Sequence, residues 1–206
     1  MRHTVRMAAR AGVSIGAHPS FRDVEGFGRR EMQLELEEIA DLVAHQVAAL
    51  AAIAKAEGVS LRHVKPHGAL YNMSARRADI AEAIASAVAA LDATLRLVGA
   101  PGSESLSAAT RMGLAVAAEG FADRSYEADG SLTPRQVAGA VLSEPKRVVE
   151  RAVQMVRDGK VMARDDSTIS LKVDTICVHG DTPGAAGLAA AVREGLERAS
   201  IEVRAL

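Results

Sequence analysis

Apolar and polar positions along this chain follow two periods that keep trading places. Runs with an apolar residue roughly every three to four positions, the helix period, end near a glycine and give way to short β-branched runs of strand character. "RHTVRMAARAG" leads into "VSIGA", "ELEEIADLVAHQVAALAAIAKAEG" into "VSLRHVK", "ADIAEAIASAVAALD" into "TLRLVG", and "ESLSAATRMG" into "LAVAAEG". Glu35, Glu37 and Glu38 crowd the first turn of the second helix and Lys55 its last, as the helix dipole favours. Gly12, Gly58 and Gly113 read as helix stops.

Helices alternating with strands through short joins predict an α/β fold with a parallel sheet, because parallel strands need a crossover and a helix usually supplies it. After residue 120 the rhythm changes. "FADRSYEADGSLTPR" is polar and turn-rich, a helix is expected over about 144–158 behind Pro145, and "VMARDDSTISLK" reads as a small hairpin. The parallel rhythm then resumes with "DTICVHG", a helix over about 184–199, and a last strand-like run "IEVRAL". No Ser/Gly linker or charge block divides the chain, so residues 1–206 read as a single domain with one long insertion.

Bulk chemistry narrows the function. A net charge of -1 and an aromatic share of 2% give neither the positive field nor the stacking platforms that nucleic acid or an anionic membrane would require. The single cysteine, Cys177, excludes an internal disulfide framework, and it reads as core filler within an apolar strand. The N-terminus has no signal-peptide pattern, and no run reaches an unbroken membrane span, so a soluble cytoplasmic protein is expected.

Three apolar runs end in a histidine followed at once by Pro or Gly: "IGAHPS", "VKPHGAL" and "ICVHGDTP". His18, His67 and His179 thus fall at carboxyl ends of strands, where parallel α/β folds keep their ligand sites, and could share one mouth. Imidazole there suits proton transfer or metal ligation. Asp123, Asp181 and Lys65 complete a mixed set of acids, bases and one cation, and Lys65 and His67 share a side if the strand continues through Pro66. His3, His45 and His63 precede neither Pro nor Gly and are assigned to packing or surface. Neither standard nucleotide-phosphate loop occurs. "GAPGSES" at 99–105 is the nearest approach, and a turn with a Ser N-cap is its simpler account.

"GAHPSF" with "GFGRREM", then "RHVKPHGALYN", "FADRSYEADGSLTPR" and "DTICVHGDTPGA" follow one another as in the LamB/YcsF lactam-utilisation family, which this sequence resembles along essentially its whole length. The resemblance implies a distorted seven-stranded β/α (TIM-like) barrel of the glycoside hydrolase/deacetylase type. It also implies an ATP-dependent hydrolase of cyclic amides, converting 5-oxo-L-proline to L-glutamate with partner subunits B and C, ATP and, by implication, Mg. Family members usually begin with a "DLNCDLGE" strand and a "CGFHAGD" strand. Neither is in this sequence, so the barrel is expected to be incomplete at its N-terminus, with exposed strand edges that invite pairing with a second copy.

Within that reading the catalytic set is Lys65, His67, His179 and Asp181, and the substrate-binding set is His18, Asp123, Arg124, Arg29 and Tyr71. Lys65 with Arg124 would stabilise negative charge, and His67, or His179 with Asp181, would handle the proton. His18 with Asp123 would position substrate or a divalent metal, for which His18, His67 and His179 are the candidate ligands. Two other readings stay open at this point: a metal-dependent deacetylase-like amidohydrolase, and a non-catalytic scaffold.

Overall fold

A computed structural model describes residues 1–205. The chain divides into two compact units, Met1–Ala117 and Ala118–Arg204, with the boundary inside one strand.

The first unit runs α1 (Arg2–Arg10), β1 (Ile15–Ala17), α2 (Leu36–Ala56), β2 (Leu61–Val64), α3 (Gly68–Arg76), α4 (Ala78–Leu91), β3 (Arg96–Gly99) and α5 (Glu104–Arg111), then enters β4 (Val116–Phe121). β1, β2 and β3 pair in parallel, with Ala17, Val64 and Leu97 in one register row. All three are buried, and they meet Ile39, Val43 and Val47 of α2 and Ile80, Ile84 and Val88 of α4 in one apolar cluster. The expected helix stops hold: α1, α2 and α5 each give way to a left-handed glycine at Gly12, Gly58 or Gly113. α2 starts on a reciprocal cap in which Glu35 N–H donates to Glu38 Oε2 at 2.9 Å. By length and composition α2 is apolar enough to cross a membrane, although Glu37, Glu38, Asp41 and Lys55 interrupt it, so it is not an unbroken span. Its apolar stripe is used in the cluster with α4 and the sheet.

Ile84, 1% exposed, sits centrally in that cluster. Ile84→Ala is expected to destabilise the protein by about 2–5 kcal/mol through lost burial and the cavity left behind. Urea denaturation measures this directly.

The second unit completes β4 and continues with α6 (Pro145–Asp158), β5 (Lys160–Met162), β6 (Thr168–Ser170), β7 (Thr175–Cys177) and α7 (Ala185–Arg198). Proline opens α6, where its missing N–H and fixed φ fit a first turn. β5 and β6 form the expected antiparallel hairpin, and β7 lies parallel to β4 with Phe121 beside Cys177. Leu142, Val148, Ala152, Leu188, Val192 and Leu196 form this unit's apolar cluster. The parallel strands among the described residues are therefore β1, β2, β3, β4 and β7.

Two local expectations change. Residues 201–205 are not a strand: Ile201 N–H donates back to Leu196 O at 2.9 Å, and Ile201 and Val203 pack on the second cluster. Apolar alternation alone cannot create a strand where no neighbouring edge offers a ladder. α3, conversely, has no counterpart in the periodic pattern. It is short and opens on a glycine, yet Ala69, Leu70 and Met73 bury into the core and Ser105 Oγ of α5 donates to Ser74 Oγ at 2.9 Å. Tertiary packing overrides its weak propensity.

Candidate active site

The segment between β1 and α2 is tied down by one buried carboxylate. Asp23 accepts from Gly26 N–H at 2.9 Å, from Arg30 N–H at 3.2 Å and from Arg30 Nε at 2.8 Å, and it also pairs with Arg30 Nη2. The Arg30 guanidinium and the two backbone donors hold this carboxyl down at about 2, against the desolvation that opposes it. Gln46 of α2 clamps the same segment, accepting from Ser20 N–H at 3.1 Å and donating to Ser20 O at 2.8 Å. The turn so fixed places Phe27 and Gly28 in left-handed backbone, at φ 55 and 68. Two successive carbonyls then face the start of α3: Phe27 O accepts from His67 Nε2 at 2.7 Å, and Gly28 O accepts from Ala69 N–H at 2.9 Å.

β2 is assigned only as far as Val64, but its pairing runs on. Lys65 N–H donates to Ala17 O at 2.9 Å and His67 N–H to Pro19 O at 2.8 Å, so Pro66, lacking an N–H, sits where this edge asks for none. His67 therefore keeps extended backbone (φ -107, ψ 147) as the N-cap residue of α3. Its ring meets His18 from the neighbouring strand end, with His67 Nδ1 3.0 Å from His18 Nε2 and the rings edge to face.

The outer partners fix the protons of this pair. A carbonyl oxygen only accepts, so His18 Nδ1 donates to Lys65 O at 2.6 Å and His67 Nε2 donates to Phe27 O. Both rings have then used one N–H outward, and the two facing nitrogens would present lone pairs to each other if both rings were neutral. One additional proton turns that contact into a hydrogen bond. A hydrogen bond between the facing nitrogens therefore requires the pair to carry one proton more than two neutral rings, an arrangement suited to giving up a proton and taking one back.

In the second unit, Asp123 follows β4 and is fully buried, and His179 follows β7 with its side chain 17% exposed. Asp123 Oδ2 accepts from His179 N–H at 3.1 Å and from His179 Nδ1 at 2.8 Å. With Nδ1 held as the donor, Nε2 is the nitrogen that can act as an acceptor when the ring is neutral, the orienting role that carboxylates have in Asp–His pairs. The Phe121 ring stacks on the imidazole at 5.6 Å. Burial pushes the Asp123 carboxyl up, but the hydrogen bonds and charge of His179 outweigh it and hold the group below its ordinary value. A depressed carboxylate contributes stability above its unfolded-state value, and that contribution is lost as pH falls through the lower folded value. Asp123→Asn is accordingly expected to destabilise at neutral pH, by about 1–3 kcal/mol for the weakened buried pair, and to flatten the acid limb of a stability-against-pH curve.

The structure changes the pairings expected from sequence. Within the first unit His18 faces His67, and within the second Asp123 accepts from His179, whereas Asp181 is exposed two residues further on. Local sequence proximity favoured Asp181, but the acceptor at hydrogen-bonding distance comes from the neighbouring strand. Arg124 is buried and spends Nε on Ala140 O at 3.1 Å and Nη2 on Thr133 O, which closes the polar loop after β4. Its role is structural in these contacts. Arg29 lies 5.0 Å over the Phe27 ring, next to His67, and Tyr71 is buried one turn into α3. Asp23, Phe27 and Gln46 escape the sequence pattern. The "DVEG" stretch carried a signal for the first, since Asp three residues before Gly favours a side-chain-closed turn.

Among the described residues no group of three His, Cys, Asp or Glu could hold a metal ion. At the 99–105 turn, Ser103 Oγ caps α5 by accepting from Leu106 N–H at 3.4 Å, and Glu104 adds a negative charge where a phosphate would sit. ATP does not fit there.

Comparison with known proteins bears on the family and the fold. The LamB/YcsF family model matches residues 1–206. A relative from Chloroflexus aggregans, named as the A subunit of 5-oxoprolinase, is 54% identical over 204 residues, covering 99% of this chain and 81% of that protein. The protein of the same name from Methylococcus capsulatus is 52% identical over 206 residues, covering 100% and 79%. A crystal structure of a lactam utilization protein from Thermus thermophilus superposes with a TM-score of 0.92 at 46% identity, over 100% of this chain and 82% of that one. The α/β fold is that of the lactam-utilisation proteins, and this chain belongs to the LamB/YcsF family.

Proposed function

We propose that this chain is the A subunit of an ATP-dependent 5-oxoprolinase, a cytoplasmic hydrolase that opens the lactam of 5-oxo-L-proline to L-glutamate together with subunits B and C. The observation that carries the reading is the His18–His67 pair, set between two carbonyl acceptors with its facing nitrogens 3.0 Å apart. The names of relatives at about half identity support the choice of substrate class.

A lactam amide resists hydrolysis because its nitrogen is a poor leaving group. Ring opening therefore needs a proton delivered to that nitrogen as the C–N bond breaks. The imidazolium of the His18–His67 pair holds such a proton. Loss of that proton leaves two neutral rings with opposed lone pairs, so the pair is restored by taking a proton from the attacking water. Lys65, on the same edge as His67, adds positive charge beside developing negative charge on the amide oxygen. ATP would supply phosphoryl activation of the amide, and no step of these residues depends on where it binds.

The test is turnover. Purified chain, mixed with subunits B and C, should release glutamate from 5-oxo-L-proline only when ATP is present, with ADP formed in proportion. Glutamate release without ATP, restored by Zn or Mn after chelation, would replace this reading by a metal-dependent amidohydrolase.

A further inference from the structure

The sheet of β1, β2 and β3 has a second face. Ala17, Val64 and Leu97 form the row that enters the helix-covered core, so the preceding row, Gly16, His63 and Arg96, projects the opposite way. Gly16 makes room in this row. A Cβ there would stand 2.1 Å from His63 Nε2, so the imidazole lies directly over bare backbone.

Two groups in the row lack what their chemistry asks for. His63 Nδ1 is buried without a hydrogen-bond partner among the described residues. Arg96, half-buried, has no carboxylate paired with its guanidinium among the described residues. Burial, then the charges of Lys65 and Arg96, lower the His63 pKa and favour the neutral ring, which keeps one N–H to donate. The strands themselves carry no acid, reading IGA, LRHV and RLVG, so no carboxylate of β1–β3 neutralises Arg96. A half-buried cation and an orphaned ring nitrogen side by side are costly to leave unsatisfied and inexpensive to satisfy together.

We propose that His63 and Arg96, floored by Gly16, bind the carboxylate of a small cyclic-amide acid. The guanidinium offers the planar two-pronged donor that a carboxylate matches, and His63 Nδ1–H supplies a further hydrogen bond. His67 lies four residues further along the strand that carries His63, about 13 Å at strand rise, a span that the Arg96 side chain and the ring of a bound acid would have to bridge between them. This inference rests on the proposed 5-oxo-L-proline chemistry for its choice of acid. His63, which the sequence pattern assigned to packing or surface, becomes a binding residue.

The experiment follows the His63 ring resonances of the full chain by NMR during titration with 5-oxo-L-proline, with 2-pyrrolidinone, which lacks the carboxylate, and with inorganic phosphate. The expected result is a saturable shift with 5-oxo-L-proline alone, weakened about tenfold or more by Arg96→Gln; for His63→Gln, which lacks the ring followed, titration calorimetry with 5-oxo-L-proline should show the same loss. Thermal melts of both variants verify folding, and Arg96→Lys provides a second, milder variant. In the assembled enzyme KM should rise far more than kcat falls. An equal shift from 2-pyrrolidinone, equal affinity for phosphate, or unchanged binding in folded Arg96 variants overturns the carboxylate site. Failure of ring opening with the acid still bound at His63 would sink the proposed reaction and leave the site standing. Normal KM in Arg96→Gln would do the reverse.

Discussion

His67→Ala is expected to lower kcat/KM for ring opening by about 10²–10⁴-fold, the span that a positioned general acid or base contributes. Its ring links Phe27 O to His18, so the alanine takes away the imidazole with which His18 shares a proton while His18 keeps its bond to Lys65 O. Stability should change little, by about 0.5–1.5 kcal/mol for the lost hydrogen bond to Phe27. His67→Gln separates the two roles. Its amide can still donate to Phe27 O and hold the loop, but cannot transfer a proton at neutral pH. Rates as low as those of the alanine variant, with a melt closer to the wild type, are the expected pattern, measured as ATP-dependent glutamate release with subunits B and C. Full activity in either variant would remove His67 from the chemistry.

Gly68→Ala is expected to do comparable damage by a different route. Gly68 has φ 60, and a Cβ there would stand 2.3 Å from Gly28 O, a backbone atom that cannot swing aside. Left-handed backbone alone costs a non-glycine residue about 1–2 kcal/mol. The collision then pushes away the Phe27–Gly28 turn, which holds the acceptors of both His67 Nε2 and Ala69 N–H. Gly102→Ala is the matched control, since Gly102 has φ 71 and open space around it. Denaturation midpoints should place Gly102→Ala at the backbone penalty alone and Gly68→Ala well beyond it, with ring opening lost only in the latter. Equal midpoints and equal rates would mean that the turn does not position His67.

Much of the fold was legible because periodicity is a local property. Apolar spacing, glycine stops and Pro145 located six of the seven described helices and the strands of both units. α3 escaped because "GALYNMSAR" is too short to stand as a helix on propensity alone, and its stability comes from burial of Leu70 and Met73 against distant segments. "IEVRAL" misled for the mirror-image reason: alternation is necessary for an edge strand but does not supply an edge. The histidines at strand ends were legible too, since a strand stopped by Pro or Gly announces its own carboxyl end.

The sequence by itself therefore determined the α/β class, the family motifs and which histidines sit where loops begin. It could not determine their partners. Spacing pointed to Lys65 beside His67 and Asp181 beside His179, and gave no sign of the partners the fold supplies: His18, 49 residues from His67, and Asp123, 56 residues from His179. Only the parallel register brings those side chains together, and register depends on how separated segments pack rather than on any local pattern. The same register gives His63 its neighbours, placing it over Gly16 and beside Arg96. Proton sharing between two rings likewise depends on which carbonyls lie behind them, and those belong to a turn and a strand end that only the folded chain sets in place.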